Sequence, residues 1–219
     1  NRKSIGRLDN PRVIEYLDTA NITRNEISDI QTLTADRDEF PSRAKRRVKE
    51  NTIIYSTVRP NLEHFGFLSK PSENLIVSTG FLTLDVTDKQ IDPKYFYYCL
   101  TRKDLTEHLH NVDVNNVSSY PSLNPDDIGD LLLEVPECRR DQEKIAAVLS
   151  ALDAKIELNN RINRELEALA KTIYDYWFVQ FDFPDENGRP YRTSGGKMTY
   201  NPELKREIPD GWRAEKMSE

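Results

Sequence analysis

The chain has 219 residues, 37% of them hydrophobic and 31% charged, with a formal net charge of -6. That length and balance allow one or two domains with a real hydrophobic core, and no run has the apolar length of a membrane span. The expectation is a soluble, cytoplasmic protein without a signal peptide, although Asn1-Arg2-Lys3 reads as the middle of something longer. Net negative charge argues weakly against nucleic acid, but charge distribution carries more information than its sum.

Ile14-Glu15-Tyr16-Leu17 reads as a short strand. A basic run follows, with Arg43, Lys45, Arg46, Arg47 and Lys49 close together. Residues 48–58 contain Thr52-Ile53-Ile54-Tyr55-Ser56-Thr57-Val58, rich in β-branched side chains and expected to form a strand. Leu75-Ile76-Val77 and residues 80–86 predict further strands. Residues 93–110 read as one helix with Pro93 in its first turn. Tyr97, Leu100, Leu105 and Leu109 supply its apolar face. The aromatic run Tyr95-Phe96-Tyr97-Tyr98 reads as core rather than as a platform for stacked bases. After a turn-rich loop over 118–125, residues 128–135 are expected to return to strand, closed by Pro136. The fold class is α+β, with a twisted, partly closed sheet over residues 1–138.

Cys99 reads as buried, and Cys138 lies beside Arg139 and Arg140. Reduced thiols fit better than a disulfide. His64, His108 and His110 form no metal-ligand spacing with them.

Residues 142–180 contain neither Gly nor Pro and predict one helix, about 58 Å long at 1.5 Å per residue. Asp141 is the expected N-cap, with Glu143 in the first turn. Ile145, Leu149, Leu152 and Ile156 follow the alternating four-three steps of a coiled coil. The pattern resumes at Leu166, Leu169, Ile173 and Tyr176. Asn159, Asn160 and Asn163 interrupt it, and the shift near Ile162 looks like a stutter. Glu157–Arg161, Arg161–Glu165 and Glu167–Lys171 are favourable i,i+4 pairs, each worth about 0.2–0.5 kcal/mol. They solvate the outer face; the apolar seam must pack on another helix. A buried Asn there would fix register; a polar mid-helix surface is the alternative. Beyond it, residues 181–219 are turn-rich, and Ile208-Pro209-Asp210-Gly211-Trp212 looks like the opening of another unit.

The order of these pieces resembles the specificity subunit of type I restriction–modification systems. The matching stretches are Glu15-Tyr16-Leu17-Asp18-Thr19-Ala20-Asn21-Ile22, Tyr55-Ser56-Thr57-Val58-Arg59-Pro60-Asn61-Leu62 and Val77-Ser78-Thr79-Gly80-Phe81. They continue with Ser118-Ser119-Tyr120-Pro121-Ser122-Leu123-Asn124. The most specific is Gln142-Glu143-Lys144-Ile145-Ala146-Ala147-Val148-Leu149 through Leu152-Asp153-Ala154-Lys155-Ile156. The resemblance implies a target-recognition domain over 1–138, a spacer, dimerisation and docking helix over 139–180, and a segment over 181–219 leading toward a second recognition domain. In such subunits each recognition domain reads half of a split DNA site, and the helices pack as an antiparallel coiled coil that docks methyltransferase subunits. This chain departs from the pattern in showing one recognition domain and one helix. It reads as a fragment or as a half-size subunit that pairs with a second copy. The implied partners are double-stranded DNA, methyltransferase subunits and, through the complex, the restriction subunit. S-adenosylmethionine, ATP and Mg belong to those partners; no cofactor is expected on this chain.

Phosphate contacts supply DNA affinity and base edges supply specificity. Lys45, Arg46, Arg47 and Lys49 are phosphate candidates, against the alternative of a solvated charge run, and Arg43 is a candidate to reach further into a groove. Arg59, held between a strand and Pro60, is a DNA contact or a structural ion pair. Asn61 has the amide that matches adenine in the major groove, or is a turn residue. Ser118, Ser119 and Tyr120 offer hydroxyls, or pack a loop; Asn115 and Asn116 are weaker candidates. The expected helix-interface residues are Ile145, Leu149, Leu152, Ile156, Leu166, Leu169 and Ile173. Asp126-Asp127 and Asp130 have no matching base or nucleophile, and Gly195-Gly196-Lys197 lacks the rest of a phosphate-binding loop. No Asn-Pro-Pro-Tyr of an adenine methyltransferase is present. A non-catalytic chain is therefore expected. Competing readings are a coiled-coil protein adaptor or an anti-restriction relative that binds the methyltransferase without reading DNA.

Overall fold

The computed structural model describes residues 11–115 and 122–216. The chain forms two compact units, Asn1–Asp153 and Ala154–Glu219.

In the first unit, β1 (Val13–Leu17), β4 (Gln31–Thr34), β5 (Ala44–Arg47) and β8 (Leu75–Ser78) form a four-stranded sheet in the order β4-β1-β8-β5. β1 runs parallel to β8, and the other pairings are antiparallel. A second sheet has the order β7-β6-β9, from β6 (Thr52–Ser56), β7 (Phe65–Leu68) and β9 (Phe81–Leu84). The expected strand over 48–58 is thus shorter at both ends. A left-handed Asn51 (φ 61°) ends it on one side, and the Ser56 hydroxyl, bonded to the Val58 carbonyl, turns it at the other. β2 (Ile22–Thr23) and β3 (Glu26–Ile27) form a small hairpin. Its two loop residues, Arg24 and Asn25, both have positive φ, as a tight two-residue hairpin turn requires.

β6 is buried along its whole length. Successive side chains of a strand point to opposite faces, so β6 serves two cores. Ile53 and Tyr55 join Phe65, Leu82, Tyr97, Leu100 and Leu109 on the helical side. Ile54 joins Leu17, Ile22, Leu68, Leu75, Val77 and Phe81 on the other. A continuous β-branched run, without polar alternation, is the composition of a strand covered on both faces.

The helix expected over 93–110 is two helices, α1 (Pro93–Leu100) and α2 (Lys103–Asn115). Asp92 caps α1 by accepting the Tyr95 N–H at 2.7 Å. The Thr101 hydroxyl bonds back to the Tyr97 carbonyl at 3.0 Å. Thr101 leaves helical geometry, and the chain restarts one residue later. The aromatic run is core as read, with Tyr95, Tyr97 and Cys99 buried.

The strand expected over 128–135 does not form. Residues 125–129 are instead α3 (Pro125–Gly129), where Pro125 sits in the first turn and Asp127 accepts the Asn124 N–H at 2.6 Å. Residues 131–136 are irregular. Their alternation is genuine: Leu131 and Leu133 pack against the core and Leu132 is 99% exposed. Alternation identifies an extended segment, but a strand also needs a neighbour to bond with.

α4 spans Arg139–Tyr174, then widens into a π-helical turn over Asp175–Val179. It starts before Asp141, which is therefore not the N-cap. Cys138 supplies the carbonyl that accepts the Asp141 N–H, and the Asp141 carboxylate holds Lys144 at 2.8 Å. The base of α4 is fixed by Gln142, 1% exposed. Its Oε1 accepts the Asp92 N–H at 2.9 Å, and its Nε2 donates to the carbonyls of Pro136 at 2.8 Å and Gln90 at 3.2 Å. One turn on, Ala146 packs on Tyr95 and Cys99. Further on, the Tyr98 hydroxyl donates to Asp153 at 2.6 Å. Burial, and then that carboxylate, push the Tyr98 phenol up to about 12.

In the second unit, β10 (Met198–Asn201) and β11 (Arg206–Pro209) form a hairpin. Phe183 stacks between Tyr191 (4.8 Å) and Trp212 (5.4 Å), and Arg206 lies 4.4 Å over the Phe181 ring. Asp182 accepts both the N–H and the hydroxyl of Thr193, which hold its carboxyl below the usual range.

Gln142→Ala removes the partner of three part-buried backbone groups, and each group left unsatisfied costs about 1–3 kcal/mol. Urea denaturation is expected to show a loss on the order of 3 kcal/mol. A change under 1 kcal/mol would mean that water replaces the amide.

Candidate nucleic-acid interface

Backbone hydrogen bonds gather several loops at one end of the first unit. The Thr79 N–H donates to the Arg43 carbonyl at 2.9 Å. The Gly80 carbonyl accepts both the N–H (3.0 Å) and the hydroxyl (3.1 Å) of Thr57. The Leu123 N–H reaches the Thr57 carbonyl at 2.8 Å, and the Leu123 side chain is buried. Gly80 also sits tightly under Thr19; a Cβ there would lie 2.9 Å from Thr19 Cγ2. The first hairpin is tied on through the Arg24 N–H to the Glu63 carbonyl and the Asn25 N–H to the Phe65 carbonyl, both at 2.9 Å. The rim thus combines the start of β5, the β6–β7 loop, the β8–β9 turn and the β2–β3 turn.

Arg59 and Asn61 stand on the β6–β7 loop and are exposed. Pro60–Leu62 is a single 3-10 turn, and the residues on either side of it, Arg59 (φ 50°) and Glu63 (φ 55°), are left-handed. That geometry costs a non-glycine residue roughly 1–2 kcal/mol. It persists because Pro60 is buried beneath the loop and the Glu63 N–H is bonded to the Pro60 carbonyl. Arg59 is thus a left-handed, exposed residue on a well-anchored loop, and its neighbour Glu63 pairs with Arg24.

The basic run is divided by the direction of β5. Arg43 precedes the strand and belongs to the rim; its charge reaches Tyr16, whose phenol burial pushes up while Ser78 and Arg43 oppose. Lys45 is exposed at a bulge in the pairing of β5 with β8. Arg46 and Arg47 are half-buried. Arg46 Nε is enclosed without a hydrogen-bond acceptor among the described residues. Lys49 lies at the opposite end, about 13 Å of strand away, bonded to Asp85 at 3.1 Å. Asp85 also accepts the Thr52 hydroxyl. The structure therefore ties the loops that carry Arg43, Arg59 and Asn61 into one backbone network and leaves Lys49 in a separate polar cluster. Ser118, Ser119 and Tyr120, with Asn116, lie outside the described residues; Leu123 shows that the chain returns from them to Thr57.

Sequence reasoning missed Arg24 and Asn25. Asn25 Oδ1 accepts the Phe67 N–H at 2.7 Å and Asn25 holds the hairpin turn against the rim. The available signal was a polar pair, Arg24-Asn25, between short β-prone segments. Along α4, Ile145, Leu152, Ile156, Leu166, Leu169 and Ile173 are exposed, and Leu149 is half-buried. Among the described residues, no group of three or more His, Cys, Asp or Glu side chains is placed to hold a metal, and no helix is long and apolar enough to cross a membrane.

The sequence profile of the type I restriction modification DNA specificity domain matches residues 2–168, and the chain belongs to that family. It is 29% identical over 177 residues to the Type I restriction enzyme HindI specificity subunit of Haemophilus influenzae, covering 78% of this chain and 37% of that protein. It is 27% identical over 170 residues to the MjaIX specificity subunit of Methanocaldococcus jannaschii, covering 78% of this chain and 35% of that protein. The chain thus spans little more than a third of the length of these relatives. The fold is shared with the crystal structure of the HsdS subunit from Thermoanaerobacter tengcongensis, at 21% identity and a TM-score of 0.60, covering 85% of this chain and 47% of that one. A chain from a structure of type I restriction–modification complex assembly matches at 20% identity and a TM-score of 0.56, covering 80% of this chain and 44% of that one.

Arg59→Gly removes the guanidinium and relieves the left-handed backbone. Calorimetry is expected to show an unchanged midpoint or a gain of up to about 1 kcal/mol. A clear loss would assign the arginine a packing role.

Proposed function

We propose that this chain supplies DNA sequence recognition to a type I restriction–modification complex. The observation that carries the reading is the convergence of Arg43, Arg59 and Asn61 on one rim, in a chain of the specificity family. Arg43 and Arg59 anchor phosphates, with Lys45, Arg46 and Arg47 extending the basic strand. Asn61 presents an amide to a base edge, where bidentate pairing with adenine is the geometric match. Ser118, Ser119 and Tyr120 offer further hydroxyls for DNA contact. Lys49 contributes chiefly to the first unit's stability through Asp85. Residues 1–138 then act as the reading domain and 139–180 as spacer and docking region, with 181–219 beyond it.

Methyl transfer and cleavage belong to methyltransferase and restriction subunits in the cytoplasm, which hold S-adenosylmethionine, ATP and Mg; this chain binds no cofactor and is not itself an enzyme. The exposed seam of α4 seats a second helix, so that two reading domains flank one spacer. Family membership favours this over the adaptor and anti-restriction readings. The exposed seam alone would suit all three.

The test is selection of bound DNA from a random pool by the chain assembled with the methyltransferase encoded beside it. A split site with two short half-sites is the expected result. No enriched sequence from an intact complex would overturn the reading. On the selected site, Arg59→Ala is expected to weaken binding and lower the salt slope by about one. Lys49→Ala is expected to leave that slope unchanged.

A further inference from the structure

Arg24 stands at the tip of the β2–β3 hairpin, and Glu63 holds both its backbone and its side chain. The Arg24 N–H donates to the Glu63 carbonyl at 2.9 Å, and Arg24 Nε donates to Glu63 Oε2. Asn25 adds two bonds, from its own N–H to the Phe65 carbonyl and from the Phe67 N–H to its Oδ1. His64 Nδ1 donates to the Ile22 carbonyl at 2.5 Å. The hairpin turn is thus fastened to the loop that carries Arg59 and Asn61, and to β7 beyond it.

The ion pair is layered. The Glu63 side chain is 22% exposed and that of Arg24 70%, so the carboxylate lies beneath and the guanidinium above. Because the carboxylate takes Nε, the outer fork of Nη1 and Nη2 is left over, with no acceptor among the described residues. Neither the turn nor stability accounts for an arginine here. Arg24 has φ 47°, at a position where a two-residue hairpin turn favours asparagine or glycine. An ion pair this exposed contributes little to stability.

Two N–H groups held side by side match two acceptors side by side. In the major groove guanine presents that pair, O6 and N7, whereas adenine sets a donor beside its N7. Pairing with Glu63 also offsets the charge that would draw a phosphate. What the fork contributes then depends on hydrogen-bond geometry, which carries sequence information, more than on charge, which does not.

We propose that Arg24 reads a guanine in the major groove through Nη1 and Nη2, and that Glu63 is the positioning residue that aims it. The inference rests on the DNA-reading proposal above and adds one base and two residues to it. A side chain already held in place loses less entropy on binding. A guanidinium tethered at Nε is also hindered from swinging from the base to a neighbouring phosphate.

The test uses the full chain assembled with the methyltransferase encoded beside it, on the DNA site that this complex selects. Replacing guanines one at a time by 7-deazaguanine removes N7 and leaves base pairing intact. One such replacement in a half-site is expected to weaken binding about tenfold. Arg24→Lys keeps the charge and loses the fork. With that variant the same replacement is expected to have no effect, and selection is expected to lose guanine at that position alone. Glu63→Ala is expected to weaken the same preference while unrelated duplex binds as well or better, because a carboxylate leaves the rim. A purely structural pair would instead lower binding to every sequence alike. Guanine preference kept in full by Arg24→Lys, or a selected site indifferent to 7-deazaguanine throughout, would overturn the assignment of Arg24. Full preference in Glu63→Ala would overturn the positioning role. The base-analogue measurement on the unsubstituted complex does not depend on how any variant folds. No enriched site at all fells DNA reading itself, whereas a selected site without that guanine fells only this assignment.

Discussion

A single buried amide fixes how the first unit meets its helix. Gln142 satisfies three backbone groups from two different segments, Asp92 and Gln90 before α1 and Pro136 before α4. No apolar side chain could do this, because those groups would remain desolvated and unpaired. Once Gln142 is seated, the rotation of α4 about its own axis is set. Ala146 must then face Tyr95 and Cys99, and Asp153 must meet Tyr98. Ile145 and Leu152 are turned outward by the same rotation.

The helix consequently carries two different surfaces. One is short, polar at its ends and occupied by the first unit. The other is long, apolar and exposed. The charged pair Lys144–Asp141 is exposed on the helix surface, whereas Arg139 links Glu143 to the Lys89 carbonyl. Exposed pairs of this kind contribute little, and they do not decide what the apolar face meets.

At the far end of the first unit the governing constraint is backbone pairing. Arg43, Thr57, Gly80 and Leu123 come from distant parts of the sequence and are held within one network of main-chain bonds. The network supports a β6–β7 loop with left-handed residues at both ends of its 3-10 turn. Strain of that kind survives only on a rigid base, and β6, buried on both faces, provides it. The same pairing explains why a basic run contiguous in sequence divides in space. β5 carries its two ends in opposite directions, so Arg43 joins the rim and Lys49 joins Asp85.

Local chemistry determined much of this in advance. The α+β class, the strands around Tyr16, Ile54 and Val77, the aromatic core of α1 and a long helix with a coiled-coil seam all follow from composition and periodicity. So does the family, from ordered motifs. The errors have physical causes. Leu131 to Leu133 alternate as a strand would, but no strand among the described residues bonds them. The 93–110 helix breaks at Thr101, which leaves helical geometry. Asp141 has the chemistry of a cap, but the helix begins a turn earlier. What only the tertiary structure decided is which faces meet. Gln142 was visible as part of a motif, but its burial and its partners depend on segments fifty residues apart. The joining of the loops that carry Arg43, Arg59 and Asn61 likewise depends on strand order, which periodicity does not encode, because a period specifies the face of an element and not its neighbour.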